Sequence, residues 1–162
     1  MSLKFENNWD LWYHHEKDNW NLNGYKKIYN ITDVETFWRL YNNFDKIGNI
    51  LYKQFFLMKE NINPVWEDKN NKNGGCWSFK IQENHASELW EELSVLLVTN
   101  EILLKEYKNE LVGLSIALKK NNYCIIKIWN SNSKNNSIKI LNPNILEKWG
   151  LELIYIANVP DV

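Results

Sequence analysis

The chain is 162 residues long, 44% hydrophobic and 24% charged, with 19 basic residues against 20 acidic ones. That length gives one domain with one core, residues 1–162, and the hydrophobic share excludes a disordered chain. The near-neutral balance excludes a polybasic, histone-like mode of nucleic-acid binding, so a local patch must meet any anionic partner. No apolar run reaches the about 18 to 20 residues of a membrane span, and the opening MSLKFENNWD has amide and acidic residues where a signal peptide places its apolar stretch. Cys76 and Cys124 are too few for a disulfide framework and lie in no zinc-type spacing. The expectation is a cytoplasmic protein with no membrane association, no metal and no cofactor.

In chain order, Phe5 to His15 alternates in a strand pattern and precedes a polar loop, Asn19 to Gly24. Tyr25 to Ile31 reads as a second strand. Thr32-Asp-Val-Glu35 has the form of a capping box and starts a helix carrying Phe37, Leu40, Tyr41 and Phe44. A loop at Asp68 to Gly75 precedes a strand at Trp77 to Ile81. A helix from Ala86 to Val98 turns Leu89, Trp90, Leu93 and Leu97 inward. Leu111 to Leu118 and Tyr123 to Trp129 form a hairpin about Lys119-Lys-Asn-Asn122, and a third polar loop spans Asn130 to Ser137. Asn142-Pro143 caps a short helix that ends at Gly150, and Leu151 to Val159 is the last strand. Strands and helices mix without βαβ alternation, so the predicted class is α+β, with one curved antiparallel sheet backed by helices.

Asn, Lys and Ile are abundant and Arg39 is the only arginine, the imprint of an AT-rich coding genome such as that of a large DNA virus or a protist. Nine tryptophans run against that drift, so a physical role retains them. Trp9, Trp12, Trp77 and Trp90 fit a core, whereas Trp20 lies in KDNWNLNG and Trp66 in NPVWEDKN, both polar segments. Two loop indoles beside a carboxylate, Trp66-Glu67, suggest a stacking slot for a flat ligand with donors on one edge. His14, His15 and His85 have no nucleophile or metal partner in the sequence and read as surface or packing residues.

Trp9-Asp-Leu-Trp12, Trp20, Val34-Glu-Thr-Phe-Trp38-Arg-Leu-Tyr-Asn42, Pro64-Val-Trp-Glu-Asp-Lys-Asn-Asn-Lys-Asn-Gly-Gly75, Trp77, Leu89-Trp90 and Trp129 together resemble the eukaryotic translation initiation factor 4E family. The resemblance runs from about Phe5 to Val159, and every tryptophan but Trp149 falls where the family carries one. It implies a single curved antiparallel β-sheet with helices packed on the convex face and a cap-binding slot on the concave face, in a noncatalytic protein that binds the 5′ cap of messenger RNA and supports or regulates translation initiation. Trp20 and Trp66 match the indoles that sandwich 7-methylguanine, a cationic base, each face offering about 0.5 to 2 kcal/mol of cation-π attraction. Glu67 matches the carboxylate that accepts from the guanine edge, and Trp129 the residue packed on the N7-methyl group.

The resemblance also marks departures. Cys76 stands where the family has a phosphate-binding arginine, Lys119 matches another, and a third falls near Ile125, with Lys127 able to substitute from the face of Trp129. Lysine supplies charge without the bidentate fork of arginine. Val34, Trp38 and Val95 match a dorsal face that takes a helix from the 4G-type scaffold subunit or from repressors, but Glu91 replaces an apolar contact there. A repressor-like homologue that recruits no scaffold is the alternative within the family. An aromatic carbohydrate-binding module is the alternative outside it.

Overall fold

The computed structural model describes residues 2–16, 18–44, 54–149 and 153–158. Seven strands form one antiparallel sheet: β1 (Lys4–His14), β2 (Tyr25–Asp33), β3 (Gln54–Lys59), β4 (Gly75–Gln82), β5 (Leu111–Lys119), β6 (Tyr123–Asn130) and β7 (Leu153–Ala157). Their spatial order is β2-β1-β3-β5-β6-β4-β7, so the central strands come from distant parts of the chain. Register shifts within β1, after Lys4 and after Leu11, mark where that strand bends the sheet. Among the described residues three α-helices accompany it: α1 (Val34–Tyr41), α2 (Glu83–Val98) and α3 (Pro143–Trp149).

The sheet's two faces carry different clusters. On the helical side, Trp9, Leu11, Leu57, Trp77, Leu114 and Ile128 bury against Leu89, Trp90, Leu93 and Leu97 of α2. Each such side chain contributes about 1.5 to 3 kcal/mol by leaving water. The opposite face carries a second cluster of Tyr25, Phe56, Met58, Ile62, Val65, Cys76, Val112 and Trp129. This second cluster is the floor on which the loops described below stand.

Several expectations shift by a residue or more, each for a local reason. The α1 cap is Asp33 and not Thr32: Asp33 accepts from the Thr36 amide at 2.8 Å, while Thr36 Oγ1 accepts from the Asp33 amide at 3.0 Å. Glu35 consequently leaves the cap and pairs with Arg39 at 2.7 Å, four residues on. α2 starts at Glu83, three residues before Ala86. Trp12, assigned to the core, packs instead on the floor cluster with Lys27 Nζ 5.3 Å from its ring centre. Trp9, Trp77 and Trp90 are core residues as expected. α3 is capped as read, with the Asn144 amide donating to Asn142 Oδ1 at 3.0 Å. The expected helix end at Gly150 and the outer ends of the last strand, Leu151 and Val159, lie outside the described residues.

β3 has no counterpart in the sequence reading. It lies between β1 and β5, and Phe55, Phe56, Leu57 and Met58 are buried in succession. With both faces covered, the strand has no apolar-polar alternation to display.

Candidate functional site

Trp20 sits in the loop between β1 and β2, which is cinched by backbone and amide bonds. His15 N donates to Gly24 O at 3.0 Å, and Asn19 Nδ2 donates to Glu16 Oε2 at 2.7 Å and to Asn23 Oδ1 at 3.0 Å. A Cβ on Gly24 would stand 2.1 Å from Asn19 O, so the two ends of the loop meet only because that residue has no side chain. Trp20 itself is 56% exposed and stacks on the His14 imidazole, at a centroid distance of 4.1 Å and an interplanar angle of 13°.

Trp66 and Glu67 sit in the loop between β3 and β4. Ile62 and Val65 anchor that loop in the floor cluster, so the chain must turn outward at the next residues, and Trp66 is 50% exposed. Asp68 holds the turn by accepting from the amides of Asn63 at 3.0 Å and Asn70 at 2.8 Å. These bonds give that carboxylate a structural task. Buried Asn71 donates to Asn63 O and to Val65 O, both at 2.9 Å, and Asn158 beyond β7 donates to Asn71 O at 2.7 Å. The Glu67 carboxylate is exposed, and its charge reaches Tyr25, whose hydroxyl is pushed up to about 12 first by burial and then by Glu67.

Trp129 shares the floor cluster with Tyr25, Ile62 and Val65 and is 7% exposed, its indole N–H donating to Ser115 Oγ at 3.0 Å. A line of rings joins it to Trp20: Trp129 meets Phe56 edge-on at 6.1 Å, Phe56 meets Tyr25 at 5.3 Å, and Tyr25 meets His14 at 4.8 Å. The sequence reading missed this line, including His14, which it treated as surface or packing. The signal was present, because His14 is two residues from Trp12 and so shares its face of β1.

Cross-strand register settles which basic residues share the Trp129 face. Trp129 pairs with Gly113 and Cys76, Lys127 with Ser115 and Ser78, Ile125 with Ala117 and Lys80, and Tyr123 with Lys119 and Gln82. Lys127, Lys80 and Lys119 therefore run outward from the floor in successive rows. Cys76 is buried, and burial pushes its thiol up to about 12, against the opposing pull of Lys127. Lys80 lies 4.6 Å from the Tyr123 ring centre, while Lys119 is exposed. Among the described residues no three His, Cys, Asp or Glu side chains gather into a metal set, and no helix is long and apolar enough to cross a membrane.

On the helical side, Val34 and Trp38 are exposed along α1, with Ser2, Glu35, Arg39 and Asn42 lining the same shallow groove. Tyr41 ties α1 to α2 by donating to Ser94 Oγ, which donates to Trp90 O. Val95, on α2, is half-buried against the core, and Glu91 is exposed close enough to act on Tyr41 by its charge. The sequence-named residues thus fall into two groups on opposite faces of the sheet.

A sequence profile described as Eukaryotic initiation factor 4E matches residues 4–153. The chain is similar to "Eukaryotic translation initiation factor NCBP" of Triticum aestivum, 29% identical over 109 residues that make up 67% of this chain and 45% of that protein. It is also 27% identical over 146 residues to "Eukaryotic translation initiation factor 4E" of Candida albicans, covering 85% of this chain and 68% of that one. The match thus spans about half the length of the wheat relative. Among solved structures, the complex of C. elegans eIF4E-3 with the 4E-binding protein Mextli and cap analog superposes with a TM-score of 0.82 at 23% identity, covering 97% of this chain and 93% of that one. Ascaris suum eIF4E-3 with m2,2,7G cap superposes at 0.80 and 21% identity, over 100% and 94% of the two chains. These superpositions establish the shared fold.

Proposed function

The chain belongs to the eukaryotic initiation factor 4E family, and on that premise we propose that it binds the 7-methylguanosine 5′ cap of messenger RNA as one domain and acts in translation initiation. The observation that carries the reading is the pair of half-exposed indoles, Trp20 and Trp66, on separately braced loops that flank Trp129. Those loops would receive the base between them. Stacking on a neutral purine is worth about 1 to 3 kcal/mol per base, and the positive charge of the N7-methylated ring adds a cation-π contribution on each face. Glu67 accepts from N1–H and the exocyclic amine, a donor pair that adenine lacks. Trp129 meets the N7-methyl group, and Lys127 and Lys119 follow the phosphate chain outward along the rows of β6 and β5.

The dorsal face, with the groove along α1 and the neighbouring α2, takes an amphipathic helix from a scaffold of 4G type or from a divergent counterpart, with Val34 and Trp38 in the groove and Val95 on α2 as its apolar contacts. Relatives solved with 4E-binding proteins support that assignment for the family. Glu91, exposed on α2, favours a partner that brings a basic residue, because an unpaired carboxylate is costly to cover.

Tryptophan fluorescence during titration with 7-methyl-GTP and with GTP tests the cap reading. Strong quenching by the methylated nucleotide, at least about tenfold tighter than GTP, is the expected result, and Trp20→Ala and Trp66→Ala should each remove it. An equal response to both nucleotides, or none, would leave the family fold without its ligand.

A further inference from the structure

We propose that His14 is a positioning residue for the Trp20 half of the slot, holding that indole parallel to the incoming base; the inference rests on the cap reading above. Trp20 is the least supported of the three site tryptophans. Trp129 is buried in the floor, and Trp66 follows the anchored Val65 in a loop held by Asp68 and Asn71, whereas Trp20 is more than half exposed and lies in a segment made of polar residues. The His14 ring lies flat against one face of its indole at 4.1 Å and 13°. That leaves the opposite face for a ligand, so the bound stack would run His14, Trp20, base, Trp66.

Two further contacts fix His14 itself. Its Nε2 lies 2.6 Å from Asn19 O, the residue immediately before Trp20, so the same side chain ties down both the backbone and the ring. Its other side packs on Tyr25, which packs on Phe56, which packs on Trp129. His14 is thus the link through which an exposed loop ring is registered to the buried floor of the site. Without it, Trp20 samples other orientations, and apparent affinity falls in proportion to the fraction of molecules with the indole correctly placed. A ring placed correctly about a tenth of the time costs about tenfold in affinity.

The experiment compares His14→Ala, His14→Phe and His14→Gln in the full chain. Affinity for 7-methyl-GTP is read by fluorescence, and the fixed environment of Trp20 by near-ultraviolet circular dichroism, with Trp20→Phe identifying its band. Phenylalanine keeps a flat ring beneath Trp20 but no hydrogen bond, and glutamine keeps a donor without a stacking surface. The expected result is a loss of about tenfold in affinity for the alanine and glutamine variants, together with loss of the Trp20 band, and rescue of both by phenylalanine. Thermal unfolding of each variant identifies any that fails to fold, and the phenylalanine against glutamine contrast then decides between folded proteins. Wild-type affinity in the alanine and glutamine variants, or rescue by glutamine and not by phenylalanine, overturns the proposal. Should the wild-type chain ignore 7-methyl-GTP, the cap reading fails by itself. The Trp20 band still decides the role of His14: a band that His14→Ala leaves intact overturns it.

Discussion

Glu67 concentrates the proposed base selectivity in one side chain. It is exposed on a loop, so replacing it costs little in folding, yet in the proposed slot its carboxylate would face two donors of a cationic base. Glu67→Gln keeps the shape and presents one donor where an acceptor is needed. We expect it to weaken 7-methyl-GTP binding by about 1 to 3 kcal/mol, or about 5- to 150-fold, while the thermal midpoint stays within about a degree. Fluorescence titration alongside a thermal melt checks both halves. A variant that binds as tightly as the wild type would remove Glu67 from the site. Asn71 presents the opposite case, being wholly buried and spending its amide on two loop carbonyls. Asn71→Ala would leave those carbonyls without their partner, at about 1 to 3 kcal/mol of stability, readable as a lower midpoint in urea. Because the same bonds hold Val65 and hence Trp66, the variant should also bind 7-methyl-GTP more weakly under conditions where it remains folded.

Among elements, α1 shows how charge and local geometry set a boundary. The Asp33 carboxyl is held below its ordinary value, chiefly by the Thr36 amide and then by the Thr36 hydroxyl. A carboxylate lowered on folding contributes stability that is present above its unfolded pKa and lost as pH falls through the lower folded value. Glu92 is lowered too: burial alone would raise it, but the bonds from Lys148 and Trp149 and the Lys148 charge together outweigh that. Stability should therefore fall on acidification below the ordinary carboxylate range, and Asp33→Asn should make that fall shallower. Denaturant midpoints measured from pH 7 down to pH 3 test it, and an unchanged slope in the variant would show that the cap contributes nothing there. The same element shows what was legible in the sequence. The residue types around Thr32 announce a helix start, but Thr32 and Asp33 stand side by side as cap candidates, and only the fold shows that Asp33 and Thr36 form the reciprocal pair. Half-buried strands such as β1 and β4 showed their period, and the Asn142-Pro143 cap was legible residue by residue. β3 was not, because a central strand buried on both faces presents no alternation. In the site, Trp20, Trp66 and Glu67 were visible as aromatic and acidic residues out of place in polar loops. His14 can be placed on the Trp12 face of β1 but not under the Trp20 ring, and Asn71 and Asp68 show no signal, because all three roles depend on which loop atoms the side chains reach.

Over the whole molecule the charges nearly cancel, 19 basic against 20 acidic, but the fold separates them. Glu83, Glu88, Glu91 and Glu92 all lie on α2, on the helical side of the sheet, while Lys127, Lys80 and Lys119 fall in rows on the Trp129 face. A neutral chain thus presents a positive track on the side proposed for the cap. Since Cys76 is buried and its thiol is held protonated by burial, the proposed cap site would draw charge near the first phosphates from Lys127, one row away on the same face. Lysine makes a point contact and no bidentate fork, so the phosphate chain should add less to binding than a pair of arginines would, and what it adds should be easily screened. Lys127→Ala and Lys119→Ala are expected to weaken 7-methyl-GTP while leaving 7-methylguanosine, which has no phosphate, unchanged. Each lysine taken away from the phosphate chain should make the affinity for 7-methyl-GTP less dependent on salt. The comparison of nucleotide with nucleoside decides the matter. If Lys127→Ala weakened both equally, that side chain would be supporting the floor around Trp129, and the phosphates would have to be held from the exposed lysines of the β5–β6 hairpin instead.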